Sequence, residues 1–189
     1  MATSVVTYEA YEELALRELD QFWELHDGEL VRKPGEIMTT GHNRVMDRLS
    51  WQLHRQLDPA LYEVRINNAR ARRLSRSAYI PDVVVVPVGL VRRNIEEQPT
   101  RLEAYQEPLP LVVEVWSPST GGYDVNSKLP EYQRRGDAEV WRIHPLQRTV
   151  TAWRRQTDGS YAELRFAGGV VELHDLAGVV IDIDLLFAP

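Results

Sequence analysis

Residues 111–116 read Leu111-Val112-Val113-Glu114-Val115-Trp116, an apolar run interrupted by one carboxylate. Such a run is typical of a central β-strand that is covered on at least one face. A carboxylate buried there needs a partner or a bound metal, because even a neutral polar group left unpaired costs about 1–3 kcal/mol. Glu114 could instead face solvent or pair with one of the many arginines of the chain. The run predicts a buried strand and makes Glu114 a candidate site residue.

A second carboxylate, Asp82, stands at the start of another apolar run. It follows Pro81 and directly precedes the β-branched segment Val83-Val84-Val85-Val86. In isolation it could be an ordinary turn residue at the start of a strand. If the two strands are neighbours, their backbones lie about 4.8 Å apart, and the two carboxylates can share one hard cation. Mg²⁺ typically takes one or two carboxylates and completes its shell with water and phosphate oxygens.

Lys128 is the third candidate, because it lies in the helix predicted directly after the Glu114 strand. Lys33 and Lys128 are the only lysines in a chain with 22 basic residues. An ammonium beside the two carboxylates could orient or deprotonate an attacking water and offset charge on a phosphate. Lys128 could also be a solvated charge on the helix surface, or pair with Asp124 at the i, i+4 spacing.

The order of the remaining segments predicts an α/β fold with a mixed central β-sheet flanked by helices and with C-terminal β-hairpins. We expect one domain over residues 1–189. Thr7 can cap a first helix, and Asp27-Gly28 between extended runs is a strong hairpin signal. We expect residues 70–76 to be a basic connection and residues 90–106 to be polar and irregular. The other predicted elements are helices over 42–57 and 124–135, strands over 62–68, 79–86 and 139–143, and a hairpin over 149–166.

Composition limits the class of protein. The chain has 189 residues, a net charge of −6 and no cysteine, which excludes disulfides and a thiolate zinc site. The acidic balance argues against strong non-specific binding of nucleic acid by the monomer, but it allows a nuclease with a local binding face. The first residues do not resemble a signal peptide, and the longest apolar run is too short to span a bilayer. We therefore expect a cytoplasmic protein without a membrane partner.

Four arginines cluster just before Asp82. Such a segment could contact a phosphate backbone beside the site, which would make it a nucleic-acid contact. It could equally be a solvated loop that improves solubility. The four residues are Arg70, Arg72, Arg73 and Arg76.

Several motifs follow one another in a specific order and spacing along nearly the whole chain. They are Trp23–Leu30, Gly41-His42-Asn43, Ile80-Pro81-Asp82-Val83 and Val113–Thr120, followed by Asp124, Lys128, Tyr132, Gly136 and Glu139-Val140-Trp141. Together they resemble the PD-(D/E)XK nuclease superfamily, and more closely its Uma-type family of restriction endonucleases. One departure is Trp116, which stands where a Glu-x-Lys motif would have its lysine.

The resemblance implies a restriction-endonuclease-like fold, a homodimer, a DNA substrate and Mg²⁺ as cofactor, with Mn²⁺ able to substitute. It implies that Asp82 and Glu114 are metal ligands and that Lys128, displaced to the helix, is the catalytic amine. It also makes Glu29 and His42 members of the rim that hold water or substrate. Judged by their own positions, Glu29 could be an ordinary residue after a turn, and His42 could simply cap a helix.

Three functions are compatible with these residues. The first is a metal-dependent endonuclease acting on DNA. The second is a catalytically silent module that keeps the nuclease fold for binding or regulation, which the acidic charge favours. The third is an enzyme with the same site that acts on RNA or on a small phosphoester.

Overall fold

The computed structural model of the protein describes residues 5–33, 39–118 and 121–188. The helices are α1 (Tyr8–Arg17), α2 (Thr40–His54), α3 (Val88–Glu97), α4 (Gly121–Tyr123), α5 (Leu129–Arg135) and α6 (Ile183–Leu186), with a π-helical turn over Asp124–Lys128. The strands are β1 (Phe22–His26), β2 (Glu29–Lys33), β3 (Tyr62–Ile66), β4 (Arg70–Arg73), β5 (Ser77–Tyr79), β6 (Val83–Pro87), β7 (Ala104–Tyr105), β8 (Leu111–Val115), β9 (Glu139–His144), β10 (Thr149–Arg155), β11 (Tyr161–Phe166), β12 (Val170–Glu172) and β13 (Val180–Asp182).

The predicted mixed central sheet is confirmed. It has six strands in the order β11-β10-β9-β8-β6-β3, and β8 pairs with β9 in parallel while its other neighbour, β6, is antiparallel. A second sheet of five strands has the order β2-β1-β5-β4-β7, and β12 and β13 form a two-stranded ribbon. The connection from β8 to β9 runs through α4, the π-helical turn and α5, because parallel neighbours require a long crossover.

Both faces of the central sheet are covered at β8. Val113 and Val115 pack with the apolar side of α2 and with the C-terminal ribbon. Val112, on the opposite face, packs with Tyr132 of α5 and Tyr79 of β5. All five residues of β8 are buried, which is the environment that its apolar sequence predicts.

The strand predicted over residues 79–86 is in fact two strands in two different sheets. β5 ends at Tyr79, and β6 begins at Val83. Pro81 lies between them and has no N–H to donate to a continuous ladder. The chain therefore passes from the second sheet to the central sheet at this point, and Asp82 lies at the crossing.

Two segments expected to be irregular are ordered. Residues 70–73 form β4, because Ala71 is buried and its neighbours pair with both β5 and β7. Within residues 90–106 most of α3 forms, with Val91 buried in the core. The polar residues of this helix face solvent, which explains why a search for long apolar runs overlooks it. Within the described ranges, no helix is both long and apolar enough to cross a membrane.

Replacing a buried leucine of α2 tests this packing. Leu49 is 0% exposed in the core between α2 and the central sheet, so Leu49→Ala should lower the free energy of unfolding by about 2–5 kcal/mol. Leu146 is 78% exposed, and Leu146→Ala should change the free energy of unfolding by about 0.5 kcal/mol or less. Urea denaturation followed by circular dichroism measures both. Equal losses for the two variants would contradict the position of α2.

Candidate functional site

Asp82 and Glu114 meet at the same end of two adjacent strands. The antiparallel register pairs Val83 with Val113, so the next position brings Asp82 beside Glu114. Both side chains are buried, with 2% and 4% of their surface exposed. The two strands are therefore neighbours, which the sequence had left as a condition.

Asp82 is held by three donors. The ammonium of Lys33 donates to its Oδ1 at 2.9 Å. Its Oδ2 accepts from the backbone N–H of Val115 at 2.7 Å and lies 3.2 Å from Nε2 of His42. Burial acts to raise the pKa of Asp82, but Lys33 and His42 outweigh it and hold this pKa well below its ordinary value. Asp82 is therefore ionised at neutral pH.

Glu114 lies in a different electrostatic environment. Its Oε1 accepts from the hydroxyl of Tyr132 at 2.6 Å and from the ammonium of Lys128 at 3.2 Å. Burial raises the pKa of Glu114 to about 8, and the ammonium of Lys128 offsets only part of that rise. Burial and the adjacent Glu114 also raise the pKa of Tyr132, so its hydroxyl stays protonated and donates. Glu114 therefore takes up a proton at a higher pH than an ordinary carboxylate does.

Lys128 is fully buried among three carboxylates. Its Nζ lies 3.0 Å from Glu24 Oε1, 3.2 Å from Glu114 Oε1 and 3.5 Å from Asp124 Oδ1. Burial acts to lower the pKa of Lys128, but the three carboxylates raise it well above its ordinary value. The side chain is therefore an ammonium. The i, i+4 pair with Asp124 that the sequence offered as an alternative is present together with the contact to Glu114.

Glu24 is a member of this cluster that the sequence did not single out. It lies in the middle of β1, fully buried, and its Oε1 also accepts from the backbone N–H of Ile80 at 2.8 Å. Its Oε2 is buried and makes no hydrogen bond within the described residues. The signal was the same as for Glu114, namely a carboxylate inside the apolar strand Phe22–His26.

Lys33 is the second residue that was missed. It lies at the end of β2, buried, and besides Asp82 it donates to Asn67 Oδ1 at 2.9 Å and to the carbonyl of Ile80 at 2.7 Å. The scarcity of lysine in the chain applied to Lys33 as much as to Lys128. Both lysines of the protein thus lie at the site.

The two predicted rim residues have different positions. His42 is buried at the start of α2 and contacts Asp82 through Nε2, while its Nδ1 makes no hydrogen bond within the described residues. Glu29 is exposed beside the turn of the β1–β2 hairpin, at the opposite end of β2 from Lys33. Four residues along a strand span about 13 Å, so the structure does not bring Glu29 to the site.

The four clustered arginines each have a partner within the chain. Arg70 donates to the hydroxyl of Tyr11, and Arg72 lies 3.5 Å from the ring centroid of Tyr8. The other two form ion pairs: Arg73 with Glu131 through two hydrogen bonds, and Arg76 with Asp27 at 3.1 Å. Of these two arginines Arg76 has the more exposed side chain, 51% against 32% for Arg73. Three of these arginines lie in β4 of the second sheet, and Arg76 lies in the turn between β4 and β5.

The donors present fit a cation of the magnesium type. Asp82 and Glu114 offer carboxylate oxygens from adjacent strands, and Glu24 has a buried oxygen that accepts no hydrogen bond from the described residues. Within the described ranges, no three His, Asp or Glu side chains are grouped as a metal site. Mg²⁺ typically takes one or two protein carboxylates and fills its other positions with water and phosphate oxygens.

Comparison with known proteins gives the family. The sequence profile of the Uma2 family, described as "Putative restriction endonuclease", matches residues 8–184. The structure is similar to a crystal structure from Anabaena variabilis ATCC 29413 described as "a putative nuclease belonging to DUF820". The TM-score is 0.76 at 18% sequence identity, and the match covers 97% of this chain and 98% of that one. No curated protein matches the sequence. Because the family profile covers nearly the whole chain, the protein belongs to the Uma2 family.

Proposed function

We propose that the protein is a Mg²⁺-dependent endonuclease that hydrolyses phosphodiester bonds in DNA at Asp82, Glu114 and Lys128. One observation carries the proposal: two buried carboxylates lie side by side on adjacent strands, with an ammonium 3.2 Å from one of them. Membership of the Uma2 family supports phosphodiester hydrolysis over other chemistry with the same groups.

Asp82 and Glu114 would hold the Mg²⁺. Bound there, the ion would polarise the phosphate and supply an activated water. Lys33 and His42 fix the orientation of the Asp82 carboxylate, and Tyr132 does the same for Glu114.

Lys128 acts in this proposal as a fixed positive charge. Three carboxylates raise its pKa well above the ordinary value, so the amine keeps its proton at neutral pH. This favours the role of orienting water and offsetting negative charge over the role of deprotonating water. An ammonium placed before the reaction stabilises charge without reorganisation of its surroundings.

DNA as substrate and the homodimer are further parts of the proposal. The family description supports the first, and the resemblance to restriction endonucleases implies the second. The acidic net charge of −6 means that phosphate contact must be local. Size-exclusion chromatography with light scattering tests the dimer.

A catalytically silent member of the family is the second candidate. The observation that favours it is the ammonium of Lys33, which already neutralises Asp82 at 2.9 Å. In that case the ammonium of Lys33 would supply the positive charge that a metal ion would otherwise supply. Calorimetric titration with Mg²⁺ or Mn²⁺ would then detect no binding.

Loss of the site residues should abolish cleavage. Asp82→Asn and Lys128→Met keep the size of each side chain but remove its charge, so each should lower the rate of DNA cleavage at least about 100-fold. Plasmid and linear DNA with Mg²⁺ or Mn²⁺ provide the assay.

The matched control is Glu29→Gln, which changes an exposed carboxylate of the β1–β2 hairpin away from the site. It should cleave as the wild type does. Thermal melts identify any variant that fails to fold. Folded Asp82→Asn and Lys128→Met proteins that cleave DNA at the wild-type rate would refute the assignment.

Binding of Mg²⁺ should release a proton. Burial raises the pKa of Glu114 to about 8 in the metal-free protein, whereas a metal binds the ionised carboxylate. Affinity should therefore rise with pH, by up to about tenfold per unit below pH 8, and level off above it. Calorimetry at pH 6.5, 7.5 and 8.5 measures this dependence, and Glu114→Gln should lose it. An affinity that does not change with pH in the wild type would contradict the raised pKa of Glu114.

A further inference from the structure

Two aromatic rings are stacked at the edge of the site. Trp116 and His144 have ring centroids 4.2 Å apart and an interplanar angle of 13°. Both residues are partly exposed, although each directly follows or ends a buried strand. A stacked pair uses one face of each ring, and part of each residue's surface remains exposed.

The alternation of the strands places this pair on the same face as Glu114. In the parallel register Glu114 lies beside Arg142, and two residues later Trp116 lies beside His144. The backbone N–H of Trp116 donates to the carbonyl of Ile143 at 2.8 Å, so the pairing of the two chains continues past the end of β8. Two residues along a strand span about 6.6 Å. The two rings therefore occupy the next positions after Glu114 and Arg142 on this face of the sheet.

The pair presents an uncharged aromatic surface. Nδ1 of His144 accepts a hydrogen bond from the backbone N–H of Gln147 at 3.2 Å, which requires an unprotonated nitrogen. Burial and the nearby Arg142 lower the pKa of His144, consistent with a neutral imidazole. Neither ring is placed to recognise phosphate by charge. Stacking is the contact that such a surface offers to a nucleotide.

We propose that Trp116 and His144 form a stacking platform for an unpaired base next to the scissile phosphate, so that the preferred substrate is single-stranded DNA. The inference rests on the proposed function, because it takes Glu114 as part of the cleavage site. A base inside a duplex is already stacked on both sides and must leave the helix to reach such a platform. The net charge of −6 points the same way, since stacking supplies affinity that phosphate attraction would otherwise provide.

The test is binding of a single-stranded oligonucleotide that contains 2-aminopurine, whose fluorescence is quenched by stacking. Ca²⁺ replaces Mg²⁺ during the titration to prevent cleavage. Wild-type protein should quench the probe, and Trp116→Ala should bind it roughly 5- to 100-fold more weakly. Trp116→Phe retains an aromatic face and should stay within a few-fold of the wild type. The same sequence as a duplex should bind more weakly and should not respond to Trp116→Ala.

A matched control is Trp51→Ala, which removes an exposed tryptophan on α2 that lies beside Arg55. It should bind the single strand as the wild type does. If Trp116→Ala does not fold, His144→Ala provides the second variant and should also weaken binding.

Cleavage of the same oligonucleotide with Mg²⁺ tests the nuclease activity separately from the stacking platform. Absence of quenching, or wild-type affinity in folded Trp116→Ala and His144→Ala, overturns the platform even if the protein cleaves DNA. Equal binding of duplex and single strand overturns it as well. Quenching that depends on Trp116 without any cleavage supports the platform and counts against the nuclease.

Discussion

A buried ammonium needs several carboxylates around it, and this requirement links the two sheets of the protein. Lys128 contacts Glu24 of the second sheet, Glu114 of the central sheet and Asp124 of its own π-helical turn. Each ion in the interior costs several kcal/mol of desolvation, which only close partners repay. Loss of the ammonium would leave the buried carboxylates around it without compensation, and such changes typically cost about 3–5 kcal/mol. The sheets are thus joined where the chemistry is proposed to occur.

The site also contains more acidic than basic groups. Two ammonium groups, those of Lys33 and Lys128, face four carboxyl groups, those of Glu24, Asp82, Glu114 and Asp124. His42 adds positive charge only when protonated. Burial, together with the nearby Asp124 and Asp82, raises the pKa of Glu114, and uptake of a proton there reduces the excess negative charge. A divalent cation would offset the excess negative charge directly, and Glu114 would then be ionised. In the proposed mechanism, proton and metal would therefore compete for one set of oxygens.

Parts of this arrangement could be predicted from sequence because they depend on local patterns. Glu114 inside an apolar run and Asp82 before one were sufficient to make both carboxylates candidate site residues. The Asp27-Gly28 hairpin and the helix capped by Thr7 form as predicted. Glu24 and Lys33 were missed because their partners, Lys128 and Asp82, are about 50 to 100 residues away and meet them only after the sheets assemble. The break at Pro81 was overlooked because a valine-rich run dominates the local pattern.

The π-helical turn over Asp124–Lys128 sets the direction in which the side chain of Lys128 points. The backbone N–H of Leu129 bonds to the carbonyl of Asp124, five residues back, so this turn contains one residue more than an α-helix would. Removing that residue would restore regular α-helical hydrogen bonding but rotate everything on one side of it by about 100° relative to the other. Sequence length between Glu114 and Tyr132 is therefore itself under constraint. A relative with one deletion in this segment would need a different residue to supply the charge.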